Sequence, residues 1–139
     1  SHLRITPEAK LLDGGPVLVA TATHDAAKAR ALEAKGAAIV ELPNAEGKVD
    51  VFRLTQHLAG LGLNEVLVEA GMNLDSALLR AGAVDELLIY LAPHMLGNAG
   101  RGMLDLGELT GIDQRLQLEI RETRMIGSDM RILARLVAK

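Results

Sequence analysis

The run Glu65-Val66-Leu67-Val68-Glu69-Ala70-Gly71 sets a carboxylate and a glycine where a short apolar stretch gives way to the helical pattern of Met72 to Leu79. In an open α/β sheet this junction is where ligands are held. The strand's carboxyl end presents Glu69, and the first N–H groups of the helix have no intrahelical acceptor. Glu69 is thus a candidate acceptor for a donor-rich heterocycle; equally, its position suits a carboxylate that leaves the strand for solvent or caps a neighbouring amide. Gly71 permits positive φ and close approach of a ligand, and a helix start favours a phosphate by a fraction of a kcal/mol up to ~2 kcal/mol. Asn73 and Asp75 are candidate caps, Asp75 opposes an anion, and a single glycine at such a turn is also a common structural feature.

Thr21, Thr23 and His24 follow another apolar run and are expected along the same carboxyl edge, with capping as the competing role for Thr23 and Asp25. His57 and His94 are a candidate ligand and a candidate base. The four histidines nevertheless form no H-x-x-x-H or H-E-x-x-H pair, so no metal site is expected. Gly97 to Gly102, with Arg101, reads as a lid, a phosphate clip or an ordinary glycine-rich loop. Ser76 and Ser128 lack a G-x-S-x-G elbow, paired carboxylates have no recognisable spacing, and neither G-x-G-x-x-G nor a P-loop is present. No residue is marked as catalytic.

These residues must be positioned by one domain of 139 residues, long enough to hide roughly 68% of its extended-chain surface. Phe52 and Tyr90 are the only aromatics, so the core must be aliphatic and stacking platforms for bases are absent. A net charge of −3 argues against a nucleic-acid partner. The lack of cysteine excludes disulfides and thiolate chemistry and fits the cytoplasm. No apolar stretch approaches the ~20 residues of a membrane span, so no membrane partner is expected.

Gly14-Gly15-Pro16 releases Val17–Thr21, a strand expected to be central and buried on both faces. A helix over Ala26 to Lys35 with Gly36 as its cap, a strand over Ala38 to Leu42 and a loop at Pro43–Gly47 follow. Val51, Leu54, Leu58 and Leu61 share one helical face, Val66–Val68 reads as a buried strand, and Leu74, Ala77, Leu78 and Ala81 share a second face that Gly82 ends. Asp85–Leu91 is then a strand and His94–Gln114 a long loop. Alternating Leu116–Arg121 and the run Met130–Val137 predict an antiparallel hairpin about the turn Gly127-Ser128-Asp129. The alternation predicts an α/β fold with a mostly parallel central sheet.

Val68-Glu69-Ala70-Gly71, Leu74, Ala77 through Leu87, Tyr90-Leu91-Ala92-Pro93 and Leu96-Gly97 together resemble the reductase domain of the bifunctional riboflavin biosynthesis deaminase/reductase. The resemblance implies a dihydrofolate-reductase-like three-layer fold and a homodimer. It also implies NADPH-dependent reduction of a phosphoribosylaminopyrimidine, 5-amino-6-(5-phosphoribosylamino)uracil, to its ribitylamino product. It carries substrate contact to Glu69 and cofactor contact to Ser1, Thr21, Gly71, Met72, Asn73, Leu74, Asp75, Ser76 and Ala77. Where the family usually reads Gly-Pro-Thr-Leu, this chain has Gly71-Met72-Asn73-Leu74, which removes a rigid helix start and a hydroxyl. The family's opening strand and substrate-phosphate arginine have no counterpart here, so impaired turnover is expected of these residues alone. The alternatives are a non-catalytic dimerising or regulatory module and another pteridine or nucleotide reductase of the same fold.

Overall fold

The computed structural model describes residues 3–137 except Asn98, Leu109 and the side chain of Asp113. It divides into two compact units, Ser1–Val66 and Leu67–Lys139. Among the described residues no helix is long and apolar enough to cross a membrane.

The first unit is a β-α-β crossover followed by a helix: β1 (Val17–Thr21), α1 (Ala26–Glu33), β2 (Ala37–Glu41) and α2 (Val51–Gly60). β1 and β2 pair in parallel, from Val17 opposite Ala37 to Thr21 opposite Glu41. Gly36, at φ +88°, makes the turn between α1 and β2, a conformation that costs an L side chain energy. Leu3, Leu12, Leu32 and Ala37 form the buried core, with Ile5, Val17, Val19 and Ile39 packed against them. β1 is half-buried rather than sealed on both faces, because β2 is its only paired neighbour among the described residues.

Asp25 caps α1: its carboxylate accepts from the Lys28 backbone N–H at 3.0 Å, with the Lys28 ammonium 3.6 Å away. That backbone bond, aided by the ammonium, holds the Asp25 carboxyl below its ordinary value of 3.8. A depressed folded value means that the cap contributes fully above the unfolded pKa and fades as pH falls through the folded one. Asp25→Ala is therefore expected to speed amide exchange at the start of α1 near neutral pH, Asp25→Asn to restore most protection, and the wild-type advantage to shrink in acid. Equal exchange in wild type and Asp25→Ala at neutral pH would remove the cap from the account.

The second unit holds α3 (Met72–Arg80), β3 (Glu86–Leu91), β4 (Leu118–Ile126) and β5 (Asp129–Leu136), the strands in the order β3-β5-β4 with both pairings antiparallel. The hairpin expected at the carboxyl terminus is present. Gly127, at φ +62°, is the first of its two turn residues, and among the described residues no non-glycine residue has positive φ, the arrangement of a type II′ turn. A bulge between Ile120 and Glu122 shifts the register by one, which keeps Thr123 and Met125 on the face that Leu118 and Ile120 share. On the opposite face Glu86, Arg135 and Glu119 lie side by side across the three strands, and Arg131 pairs with Glu122 at 2.8 Å.

The α/β class is as expected, but the mostly parallel central sheet is not formed by the described residues. Val66–Val68, expected as a buried strand, has no ladder partner and is exposed, Leu67 to 75%. The apolar pattern was sound; without a neighbouring strand, however, an extended segment has nowhere to place its backbone hydrogen bonds except in water. β3 likewise pairs antiparallel with β5 rather than parallel with that run.

Candidate functional site

In the second unit the structure sets Glu69 and the start of α3 next to one another along the chain, both open to solvent. Glu69 is exposed in extended chain and has no hydrogen-bond partner among the described residues. Gly71 precedes α3 with φ −124° and ψ 172°, without a side-chain cap. Its carbonyl accepts from the N–H groups of Leu74 and Asp75, at 3.0 and 3.1 Å. The N–H groups of Met72 and Asn73 have no protein acceptor among the described residues, so the first turn presents unmatched donors. Asn73 and Leu74 are exposed, and Met72, Asp75 and Ala77 half-buried.

Positive φ is not why residue 71 is glycine. Its backbone is extended, and a Cβ placed there would meet no atom within 4 Å. The protein itself therefore tolerates a side chain at this position, and what the glycine leaves is open space in front of two donors.

Two expected cofactor contacts are instead structural. Ser76 is fully buried; its hydroxyl donates to the Met72 carbonyl at 2.5 Å and accepts from the Asp105 N–H at 2.7 Å. In the first unit Thr21 is 1% exposed, and its Oγ1 donates to the Thr23 carbonyl and accepts from the Thr23 N–H, both at 3.1 Å. Hydroxyls at a strand end or in a first helical turn look available in sequence, but local backbone groups compete for them. The correction for both residues is the same: each side chain braces backbone and is turned away from solvent. Ser1 lies outside the described residues.

The carboxyl edge of β1–β2 carries the remaining polar candidates of the first unit. His24 Nδ1 lies 2.5 Å from Glu41 Oε1, and both border a cleft of about 250 Å³ with Arg30 and Glu33. His57 and His94 have no partner that would mark them as ligand or base, and no cluster of metal-ligating side chains exists among the described residues. A cavity of about 560 Å³ in the second unit lies at the far end of α3, beside Leu79 and Gly82. Its charged lining, Asp85, Arg115 and Arg135, is of mixed sign, and Arg135 already lies between Glu86 and Glu119.

A model of the RibD C-terminal domain family matches residues 1–132. This chain belongs to that family. Among curated proteins, Escherichia coli riboflavin biosynthesis protein RibD is 38% identical over 89 residues, covering 64% of this chain and 24% of the relative. The 5-amino-6-(5-phosphoribosylamino)uracil reductase of Buchnera aphidicola subsp. Acyrthosiphon pisum is 34% identical over 86 residues, covering 62% of this chain and 42% of the relative. The solved structure of Acinetobacter baumannii RibD, form 1, superposes with a TM-score of 0.82 at 26% identity, over 99% of this chain and 36% of that one. This RibD C-terminal domain thus spans a quarter of one relative and under half of another.

Proposed function

We propose that the protein carrying this chain is an NADPH-dependent 5-amino-6-(5-phosphoribosylamino)uracil reductase of riboflavin biosynthesis, acting as a cytoplasmic homodimer. The pairing that carries the reading is Gly71 with α3: a glycine that the fold does not require, in front of two unmatched N–H groups, in a family whose named members include that reductase. When bound, the nicotinamide would supply the hydride that turns the ribosylamino C1 into the CH₂ of the ribitylamino product, the bond from C1 to the ring oxygen breaking and that oxygen taking a proton from solvent. The chain's own part is to hold and orient. The N–H groups of Met72 and Asn73 and the Asn73 side chain receive a cofactor phosphate, with Leu74, Asp75 and Ala77 forming the turn around it. The Glu69 carboxylate accepts from the donor-rich edge of the pyrimidine. The residues fit a nicotinamide dinucleotide, although Asp75 in the first turn offsets part of the helix's attraction for its charge. β4 and its apolar side chains Ile120 and Met125, both exposed, are the surface this reading gives to the second copy.

Gly71→Ala tests the cofactor assignment. The substitution meets no atom and no unfavourable φ, so stability is expected to hold or to rise by about 0.5 kcal/mol as the unfolded chain loses freedom. Affinity for NADPH, by titration of its fluorescence, is expected to fall at least roughly tenfold, since a Cβ occupies the approach to the donors. Unchanged affinity in a stably folded Gly71→Ala protein would take the cofactor phosphate away from this turn, whereas a wild-type protein that binds no NADPH would favour the non-catalytic module.

A further inference from the structure

The loop between β3 and β4 is long, irregular over the described residues of 92–111 and rich in glycine, with Gly97 at φ +67° and Gly107 at φ +79°. Such a segment has many conformations to lose, and closing it costs entropy that its own contacts barely offset. Its internal bonds are local, from His94 N–H to the Ala92 carbonyl at 2.8 Å and from Gly100 N–H to the Gly97 carbonyl at 3.3 Å. Among the described residues, side chains from outside the loop bond it at Asp105 and, near its end, at Thr110, whose N–H donates to Gln114 Oε1 at 3.0 Å; the grip from α3 falls on Asp105. The Asp105 N–H donates to Ser76 Oγ at 2.7 Å, and the Asp105 carbonyl accepts from Arg80 Nη1 at 2.6 Å.

Ser76 and Arg80 are one helical turn apart and so share a face of α3, which lets them take both backbone groups of one loop residue, as a neighbouring strand would. The polarity is fixed. A serine hydroxyl has one proton, and that of Ser76 goes to the Met72 carbonyl, leaving a lone pair for the Asp105 N–H. The Asp105 carboxylate then accepts from the Gly107 N–H at 3.2 Å and turns the chain beyond the clamp. Before the clamp, Gly102 lies against the first turn of α3: a Cβ on it would stand 3.8 Å from Met72 Sδ. The gripped loop is therefore laid beside the same turn whose N–H groups are unmatched.

We propose that Ser76 and Arg80 are positioning residues, a two-point backbone clamp on Asp105 that holds the 92–111 loop as a wall beside the start of α3 and thereby sets affinity for the nicotinamide dinucleotide. The inference rests on the cofactor reading above. It places the effect of the clamp on cofactor binding and not on hydride transfer, since both side chains act through the Asp105 backbone.

The experiment uses the full-length protein and three readouts: amide exchange across residues 97–107, the Kd for NADPH by fluorescence, and steady-state kcat and KM. Arg80 is exposed, so Arg80→Ala is expected to fold; Ser76→Ala takes the acceptor from the Asp105 N–H and serves as the second variant. Each is expected to speed exchange in the loop and to raise Kd and KM for NADPH roughly fivefold, the effect of one lost hydrogen bond, with kcat within about twofold of wild type. Arg80→Lys keeps a donor for the Asp105 carbonyl and is expected to recover most of the affinity and the protection. Faster exchange with unchanged Kd, unchanged exchange in Arg80→Ala, or no recovery in Arg80→Lys would each overturn the clamp. A wild-type protein that binds neither NADPH nor NADH overturns the cofactor reading and the clamp with it, whereas wild-type binding with unaltered Kd in Arg80→Ala overturns the clamp alone.

Discussion

Replacing Leu32 by alanine is expected to destabilise the first unit by about 2–5 kcal/mol, the range for deleting a buried leucine side chain. Leu32 is 1% exposed on α1 and is the largest fully buried side chain in the chain's described residues. Its neighbours Leu3, Leu12 and Ala37 leave little else to fill the space, and Ala37 begins β2, so the loss falls on the helix, the strand and the segment before β1 together. Cores this small collapse poorly around a cavity. Leu32→Met, which nearly conserves volume, is expected to cost less than about 1.5 kcal/mol. Phe52→Ala is the contrasting case: it removes the chain's only phenylalanine, yet that ring is 52% exposed on α2 and its loss is expected to stay near 0.5 kcal/mol. Denaturant unfolding and amide exchange at Val17–Thr21 and Ala37–Glu41 report the effect. A Leu32→Ala loss below that of Phe52→Ala would mean that the core has been placed wrongly.

The elements easiest to read in the sequence were those whose signals agree at several levels. For α1, Asp25 supplies a cap, Leu32 an inward anchor and Gly36 a left-handed exit, and all three do what their types suggest. The β4–β5 hairpin was legible because alternation over Leu116–Arg121, the run Met130–Val137 and the turn chemistry of Gly127-Ser128-Asp129 point the same way, although nothing in Leu118–Ile126 announced the bulge that rephases Met125. Periodicity failed where a strand depends on a partner. Val66–Val68 carries the composition of a buried parallel strand, but composition cannot supply a ladder, and the segment runs unpaired and exposed.

The candidate site was legible to a similar degree, and for similar reasons. Gly71 and Glu69 stand out in the sequence from their place between an apolar run and a helical pattern, although the structure replaces positive φ with open space as the reason for the glycine. Thr21 and Ser76 were assigned to a ligand because a hydroxyl at such a place can serve one. Which backbone groups claim a hydroxyl is decided by geometry within an ångström: here the Thr23 carbonyl and N–H claim that of Thr21, and the Met72 carbonyl and Asp105 N–H that of Ser76. The Ser76–Asp105–Arg80 clamp had only a Ser-x-x-x-Arg spacing on α3 to announce it, a spacing too common to single out. Its partner is a backbone group, which a sequence cannot display.

Glu69→Gln is expected to lower kcat/KM for the aminopyrimidine phosphate by roughly 10- to 150-fold, the range for a hydrogen bond to a charged group worth about 1.5–3 kcal/mol. The substitution preserves shape and removes charge. Because Glu69 is exposed and makes no hydrogen bond among the described residues, the fold has nothing to lose, and the melting temperature is expected to be unchanged. Glutamine also presents an NH₂ where the carboxylate had a second acceptor, so one contact to a ring or exocyclic N–H becomes donor against donor. Affinity for NADPH is expected to stay within about twofold of wild type, because the proposed function gives the phosphates to the N–H groups of Met72 and Asn73 and not to Glu69. That split between substrate and cofactor separates Glu69 from Gly71→Ala, whose loss falls on NADPH. Wild-type kcat/KM in a folded Glu69→Gln protein would return Glu69 to the solvent-facing role that its exposure alone would suggest, and a parallel loss of NADPH affinity would mean that the carboxylate shapes the α3 turn rather than meeting the pyrimidine.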